Sequence, residues 1–263
     1  IMDFKNVNLV YFSATNVSKK YAEAMGKSLN KPVVTYDFTL PKNRDGVKLQ
    51  SFTGDDLVIL SYPVYGGRIP DICLNYIENL KGKNTPCILI ATYGNRDFDD
   101  ALVEAEDIMS ERGFIIVGRR AVVGTHSFSR DIAPGRPNRE DLEGAAKFAQ
   151  IIAGKELKAL EKGIIPGNRP YKEKNNTPNT MMPVTDDNCI DCKACALRCP
   201  AGVISVENPK LRVKDASACL RCHRCVVYCP KKAIHFEGEV YEKMVQSCIA
   251  RFGSPDKENK YFM

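Results

Sequence analysis

Residues 189–200 read CIDCKACALRCP, and residues 219–230 read CLRCHRCVVYCP. Both follow the spacing Cys-x2-Cys-x2-Cys-x3-Cys-Pro, and the second copy lies 30 residues after the first. Together they use eight of the chain's eleven cysteines. Three thiolates so closely spaced let one loop wrap three corners of an iron–sulfur cube, while the fourth reaches across to the other cube. The expected ligand sets are Cys189, Cys192, Cys195 with Cys229, and Cys219, Cys222, Cys225 with Cys199. Zinc would use paired Cys-x2-Cys knuckles separated by a longer loop, four thiolates to each metal. A disulfide framework needs an oxidising compartment. Ile1 to Phe12 carries no basic flank, long apolar core or small-residue cleavage site, so no export leader is read there and the cytoplasm is the expected location.

On these residues the segment 186–237 resembles the bacterial two-cluster ferredoxins, whose internal two-fold symmetry the 30-residue repeat matches. The stretch before it is long enough for a second domain with its own core, and no apolar run approaches a membrane span. The formal net charge is +6, and residues 187–236, with nine Lys/Arg against four Asp/Glu, supply +5 of it. Two oxidised clusters at about −2 each would offset most of this charge. The basic residues therefore offset cofactor charge, and nucleic acid is not an expected partner.

Residues 1–162 alternate strand and helix signals, the pattern of a parallel sheet covered on both faces. Strands are expected at Val7–Phe12, Pro32–Tyr36, Leu57–Ser61, Pro86–Thr92 and Phe114–Val123. Helices are expected at Lys19–Leu29, up to Leu80, at Ala101–Arg112 and at Asn138–Lys162. Five strands so arranged suit a doubly wound α/β sheet. Residues 163–185 hold Pro166, Pro170, Pro178 and Pro183 and read as a linker or strap ordered against one domain. Residues 238–263 form a tail whose Glu239–Phe252 stretch is amphipathic, with Val240, Met244, Val245, Cys248 and Ile249 on one face, and reads as a lid.

Ligands of open parallel sheets lie beyond the carboxyl ends of the strands, and three loops of this chain meet there. The first is Ser13-Ala14-Thr15-Asn16-Val17-Ser18, whose hydroxyls and helix-start amides suit a phosphate. The second, Pro63-Val64-Tyr65-Gly66-Gly67, pairs glycines that let backbone approach a flat ring with an aromatic that can stack on it. The third is Thr92-Tyr93-Gly94-Asn95. With these loops in place the N-terminal part looks like a flavodoxin-like domain, and the whole chain resembles the flavodoxin–ferredoxin fusion proteins of anaerobes.

That resemblance implies FMN beside two 4Fe–4S clusters. The phosphate would lie on Ser13, Thr15, Asn16 and Ser18, and the ring between Pro63–Gly67 and Thr92–Asn95. The family's first loop usually reads Ser-Gly-Thr-Gly-Asn-Ser. Here Ala14, Asn16 and Val17 stand at the Gly, Gly and Asn places; Asn16 can still take positive φ, whereas Val17 removes a phosphate donor. No Gly-x-Gly-x-x-Gly follows a strand, so a nicotinamide site is not expected.

His126, just past the fifth strand, and Tyr65 are candidate proton donors at the ring; the bland alternative for His126 is a capping or domain-contact role. His223, between two cluster cysteines, reads as a surface residue in preference to one that tunes a cluster. His235 also reads as surface, and Cys73, Cys87 and Cys248 as small core residues. The expected function is electron transfer, with FMN handling electron pairs and each cluster single electrons, in exchange with a protein partner such as a ferredoxin or redox enzyme. A rival is a cluster-fed flavin reductase of a small organic substrate such as a quinone or nitro compound. A third reading is a non-catalytic redox sensor, for which an output element would be expected.

Overall fold

The structure is a computed structural model and describes residues 1–46, 51–161, 163–175, 179–207 and 210–263. Lys162 and residues 176–178, with Pro178, lie outside the described residues. The N-terminal elements in chain order are β1 (Asn6–Tyr11), α1 (Val17–Ser28), β2 (Val33–Asp37), α2 (Pro41–Arg44), β3 (Ser51–Phe52) and β4 (Asp56–Pro63). They continue as α3 (Asp71–Ile77), β5 (Lys81–Gly82), β6 (Thr85–Tyr93), α4 (Ala101–Glu111), β7 (Phe114–Val123) and α5 (Arg139–Ala153).

Alternation along the strands builds the sandwich. Val7, Leu9 and Tyr11 of β1, with Leu57 and Ile59 of β4, face the side covered by α1 and α5, where Tyr21, Met25, Phe148 and Ile152 close the core. Val10, Val58, Leu60, Tyr62 and Leu89 face the other side, against Ile77, Leu102 and Met109. Strands buried on both faces are the signature of a parallel sheet. The sheet runs β2-β1-β4-β6-β7, all parallel, in registers such as Val7↔Val33, Leu9↔Ile59 and Ala91↔Ala121. Leaving aside β3 and β5, two residues each and paired with one another, this is the 2-1-3-4-5 order of the flavodoxin-like fold.

Two features differ from the reading of the sequence. The closing helix stops at Ala153, where Gly154 is the C-cap, instead of running to Lys162; beyond it the chain lies along the sheet, with the Leu160 amide donating to Ile116 O. The sheet also gains a sixth strand. The C-terminal stretch Lys260–Phe262, β12 in chain order, pairs antiparallel with β7 through Lys260↔Ala121 and Phe262↔Arg119. Three residues carry too little periodicity to announce a strand.

The ferredoxin-like part comprises β8 (Pro183–Thr185), α6 (Ala194–Leu197), β9 (Ile204–Glu207), β10 (Lys210–Val213), α7 (Arg224–Val227) and β11 (Ile234–Phe236). β9 pairs with β10 and β8 with β11, both antiparallel. Its own small core includes Val203, Ile204, Leu211 and Ile234. The repeat is visible in the backbone. Asp191 (φ 54°) and Arg221 (φ 50°) match 30 residues apart, as do Lys193 (φ 58°) and His223 (φ 59°). These four non-glycine residues in the left-handed region, at about 1–3 kcal/mol each, bend the two cysteine loops in the same way. The helix α8 (Glu239–Phe252) follows, ahead of β12.

The strap before β8 is tied to α4. The Asn168 and Lys172 amides donate to the Asp100 carboxylate at 2.7 and 2.6 Å, and Arg169 grips Asp107 through two bonds of 2.7 and 2.8 Å.

Candidate functional site

A cavity of about 690 Å³ opens at the carboxyl ends of the parallel strands. Its walls include Ser13, Thr15, Val17 and Ser18 from the first loop, Pro63–Gly66 from the second, and Thr92–Gly94 from the third. The loop after β7 adds Gly124–Phe128, α8 adds Met244 and Cys248, and the ferredoxin-like part adds Cys219, Leu220, Arg221 and Cys222. Leu220 and Cys222 are continuous with the apolar core under the sheet.

The second loop is a tight turn. Tyr65 and Arg68 exchange backbone hydrogen bonds of 3.0 and 3.2 Å across Gly66 (φ 61°) and Gly67 (φ 87°), the doubly positive geometry that favours glycine. Arg68 then anchors it. Its guanidinium donates to both oxygens of buried Glu104 at 2.9 and 2.6 Å, and the Ile69 amide donates to the same carboxylate at 2.9 Å. Glu104 thus fixes the loop from α4.

Three expected site residues do not line the cavity. Asn16 takes φ 67° as the N-cap of α1. Gly67 faces Asp99: a Cβ there would lie 2.0 Å from Asp99 Oδ2. Asn95 is buried and spends its amide on the C-terminal segment, donating to Phe252 O and Pro255 O and accepting from the Lys257 amide. Two of the hydroxyls that do line it have partners within the protein, though Ser13 only accepts and keeps its own proton to donate. Ser13 Oγ accepts from the Lys19 amide at 3.1 Å, and Ser18 Oγ pairs with Thr92 Oγ1 at 2.7 Å. Val17, at the position of the missing donor, packs against Gly124, where a Cβ would come within 2.4 Å of Val17 Cγ1.

His126 lines the cavity. Its Nδ1 accepts from the Phe128 amide at 3.1 Å, so the proton of the neutral ring sits on Nε2. Burial pushes its pKa below the usual imidazole value. Tyr65 lies at the cavity wall, and burial raises its phenol, which stays protonated.

His223 is not on the surface. It is 6% exposed, stacks on Phe236 at 4.5 Å and 18°, and also meets Tyr241 of α8 and Phe128 of the flavodoxin-like part. Burial pushes its pKa down to about 4. Sequence alone hid this because the partners lie on three separate segments. Cys73 and Cys87 are core residues, whereas Cys248 is half-buried and lines the cavity with Met244. His235 is partly exposed beside Glu237.

The eight motif cysteines ring two smaller cavities. One is lined by Cys189, Cys192, Cys195 and Cys229, the other by Cys199, Cys219, Cys222 and Cys225. Among the described residues no three His, Cys, Asp or Glu side chains converge on a point that would hold a single metal ion. Burial raises the thiols of Cys195, Cys219 and Cys225, and that of Cys222 to about 12, so without metal they are neutral. Metal loading would release their protons.

Arg224 was not anticipated. It donates to Ser13 O at 3.0 Å and Ala14 O at 2.6 Å, clamping the second cysteine motif onto the first loop, and its guanidinium lies 4.6 Å from the Tyr228 ring. One basic residue among nine in the segment carries no signal of its own. Asn179 was missed likewise; its amide donates to Met181 O, Ala216 O and Cys219 O, positioning the cysteine loop.

Residues 188–234 match the family model described as a 4Fe-4S dicluster domain. Solved structures similar to the N-terminal part include a flavodoxin from Streptococcus pneumoniae TIGR4, at 14% identity and a TM-score of 0.40, covering 56% of this chain and 97% of that one. A flavodoxin from the domain Archaea is 16% identical, TM-score 0.39, covering 56% and 96%. A putative flavoprotein from Bacteroides eggerthii DSM 20697 is 18% identical, TM-score 0.37, covering 57% and 99%. Among curated proteins none matches the chain significantly. The chain joins a flavodoxin-like α/β fold to a ferredoxin-type iron–sulfur domain. Among the described residues no helix is long and apolar enough to cross a membrane.

Proposed function

We propose that the protein transfers electrons between FMN in the 690 Å³ cavity and two 4Fe–4S clusters, in the order flavin, second-motif cluster, first-motif cluster. The observation that carries this reading is the shared wall: Cys219 and Cys222 line the same cavity as the three loops at the sheet's end. The volume falls in the usual range for small-ligand sites, about 300–1,000 Å³.

The chain's residues fit both groups. The four thiols expected for each cluster face one common cavity, spread around a volume as a cube of iron and sulfide requires. When bound, FMN would supply an exchange between paired and single electrons. The protein's part is placement. Glu104 and Arg68 hold the ring loop, and Arg224 holds the second motif over the first loop. His126, neutral with a proton on Nε2, would donate a hydrogen bond at the ring edge. Electrons would leave from the first motif to a protein partner, because Cys192 is exposed.

A second reading, reduction of a small organic molecule at the flavin, draws support from the same His126 and from Tyr65. Anaerobic reduction followed by addition of a ferredoxin, a quinone or a nitro compound separates the two. Turnover of the small molecule faster than reoxidation by the protein carrier would sink the carrier reading. Extraction of the chromophore tests FMN itself, and a colourless extract would remove it.

A further inference from the structure

Beside the flavin cavity lies a second one of about 340 Å³, and the two share Thr15, Val17, Thr125, His126 and Ser127. Its wall adds Lys20 from the first turn of α1, Arg130 and Arg136 from the loop after β7, and Val227 from α7. The hydroxyl of Thr125 is committed to Ala133 O and Arg136 O, and Arg136 is committed to Asp141. Lys20 and Arg130 are exposed, and among the described residues neither side chain has a hydrogen-bond or ion-pair partner; nor do the hydroxyls of Thr15 and Ser127. A concave site with two unpaired cations and two free hydroxyls, beside the amides that open a 12-residue helix, suits an anion.

We propose that this side cavity, with Lys20 and Arg130 as its charged groups and Thr15 and Ser127 as hydroxyl donors, holds the phosphate of the flavin. The inference rests on the FMN reading above. It keeps Thr15 and moves the phosphate away from the other residues expected from the sequence, since Ser18 Oγ is paired with Thr92 Oγ1, Asn16 is off the wall, and Val17 packs on Gly124. Cations take over where the loop has lost its polar donors. The continuity of the two cavities lets a ring in one and a phosphate in the other belong to a single molecule.

The test uses the full chain, stripped of flavin with its clusters retained, titrated with FMN and with riboflavin, which lacks the phosphate alone. Flavin fluorescence is followed for the wild type, Lys20→Gln, Arg130→Gln and the double variant. Loss of one charge-assisted contact should weaken FMN binding about tenfold or more, with a shallower salt dependence, while riboflavin binding stays within about twofold. FMN binding unchanged in the double variant overturns the proposal, as does an equal loss for both flavins. A wild-type chain that binds neither flavin removes the FMN reading itself. Both side chains are exposed, so the fold does not depend on them.

Discussion

Arg224→Met is the substitution that most directly tests how the two halves are held. The native guanidinium donates to Ser13 O and Ala14 O at 3.0 and 2.6 Å. Hydrogen bonds from a charged donor contribute about 1.5–3 kcal/mol each, and the contact with the Tyr228 ring about 0.5–1 kcal/mol. Against this, Arg224 Nε is buried with no partner, and its desolvation costs part of the gain. A net loss of about 2–4 kcal/mol follows, and at about 1.4 kcal/mol per decade even the lower bound is about a 30-fold rise in open population. Met keeps the apolar stem length, so the effect is one of polar contact. Hydrogen exchange at the amides of residues 13–18 and 219–227 should accelerate accordingly, and flash-induced electron equilibration between flavin and clusters should slow. Iron and flavin contents should stay at wild-type values. Exchange within about threefold of wild type, with both cofactors retained, would refute the clamp.

Cys199→Ala should remove the second-motif cluster and spare the first, halving iron content; loss of the first cluster alone, read by EPR, would contradict the crossed ligand sets. Glu104→Gln breaks a buried pair that fixes the ring loop, at a cost of about 3 kcal/mol; calorimetry should show a clear fall in Tm, and FMN binding should weaken. His126 titrates below the usual imidazole range in the folded state. Its contribution to stability is therefore full above about pH 6.5 and shrinks as the unfolded chain takes up a proton on acidification. His126→Gln should flatten the fall in Tm between about pH 7.5 and 5.5, and a fall as steep as that of the wild type would count against a buried neutral ring.

Much of the fold was legible because its signals are local. Buried runs such as Leu57–Ser61 and Pro86–Thr92 announce a parallel sheet, and the left-handed residues at matched places in both cysteine motifs echo the sequence repeat. What was hidden depends on pairing across distance. Asn95 looked like a ring-loop residue by position, yet its amide satisfies three backbone groups between residues 252 and 257, about which its own neighbours say nothing. His223 looked exposed because Phe128, Phe236 and Tyr241 reach it from three segments. Lys20 and Arg130 drew no notice because an isolated cation on a helix or loop is usually just solvated; only the shared cavity gives them a common purpose.

The short strand β12 has a consequence for how the chain can be divided. β7 would otherwise present an open edge along Arg119–Ala121, and a bare row of unpaired backbone N–H and C=O groups invites pairing with a neighbouring molecule. The margin is covered by Lys260–Phe262, which arrives only after the chain has passed through the whole cysteine-rich part. Asn259 secures the arrival by accepting from the Val123 amide and donating to Asp141. A fragment ending after α5 would therefore keep most of its core and lose its margin, and self-association rather than unfolding is the failure expected of it.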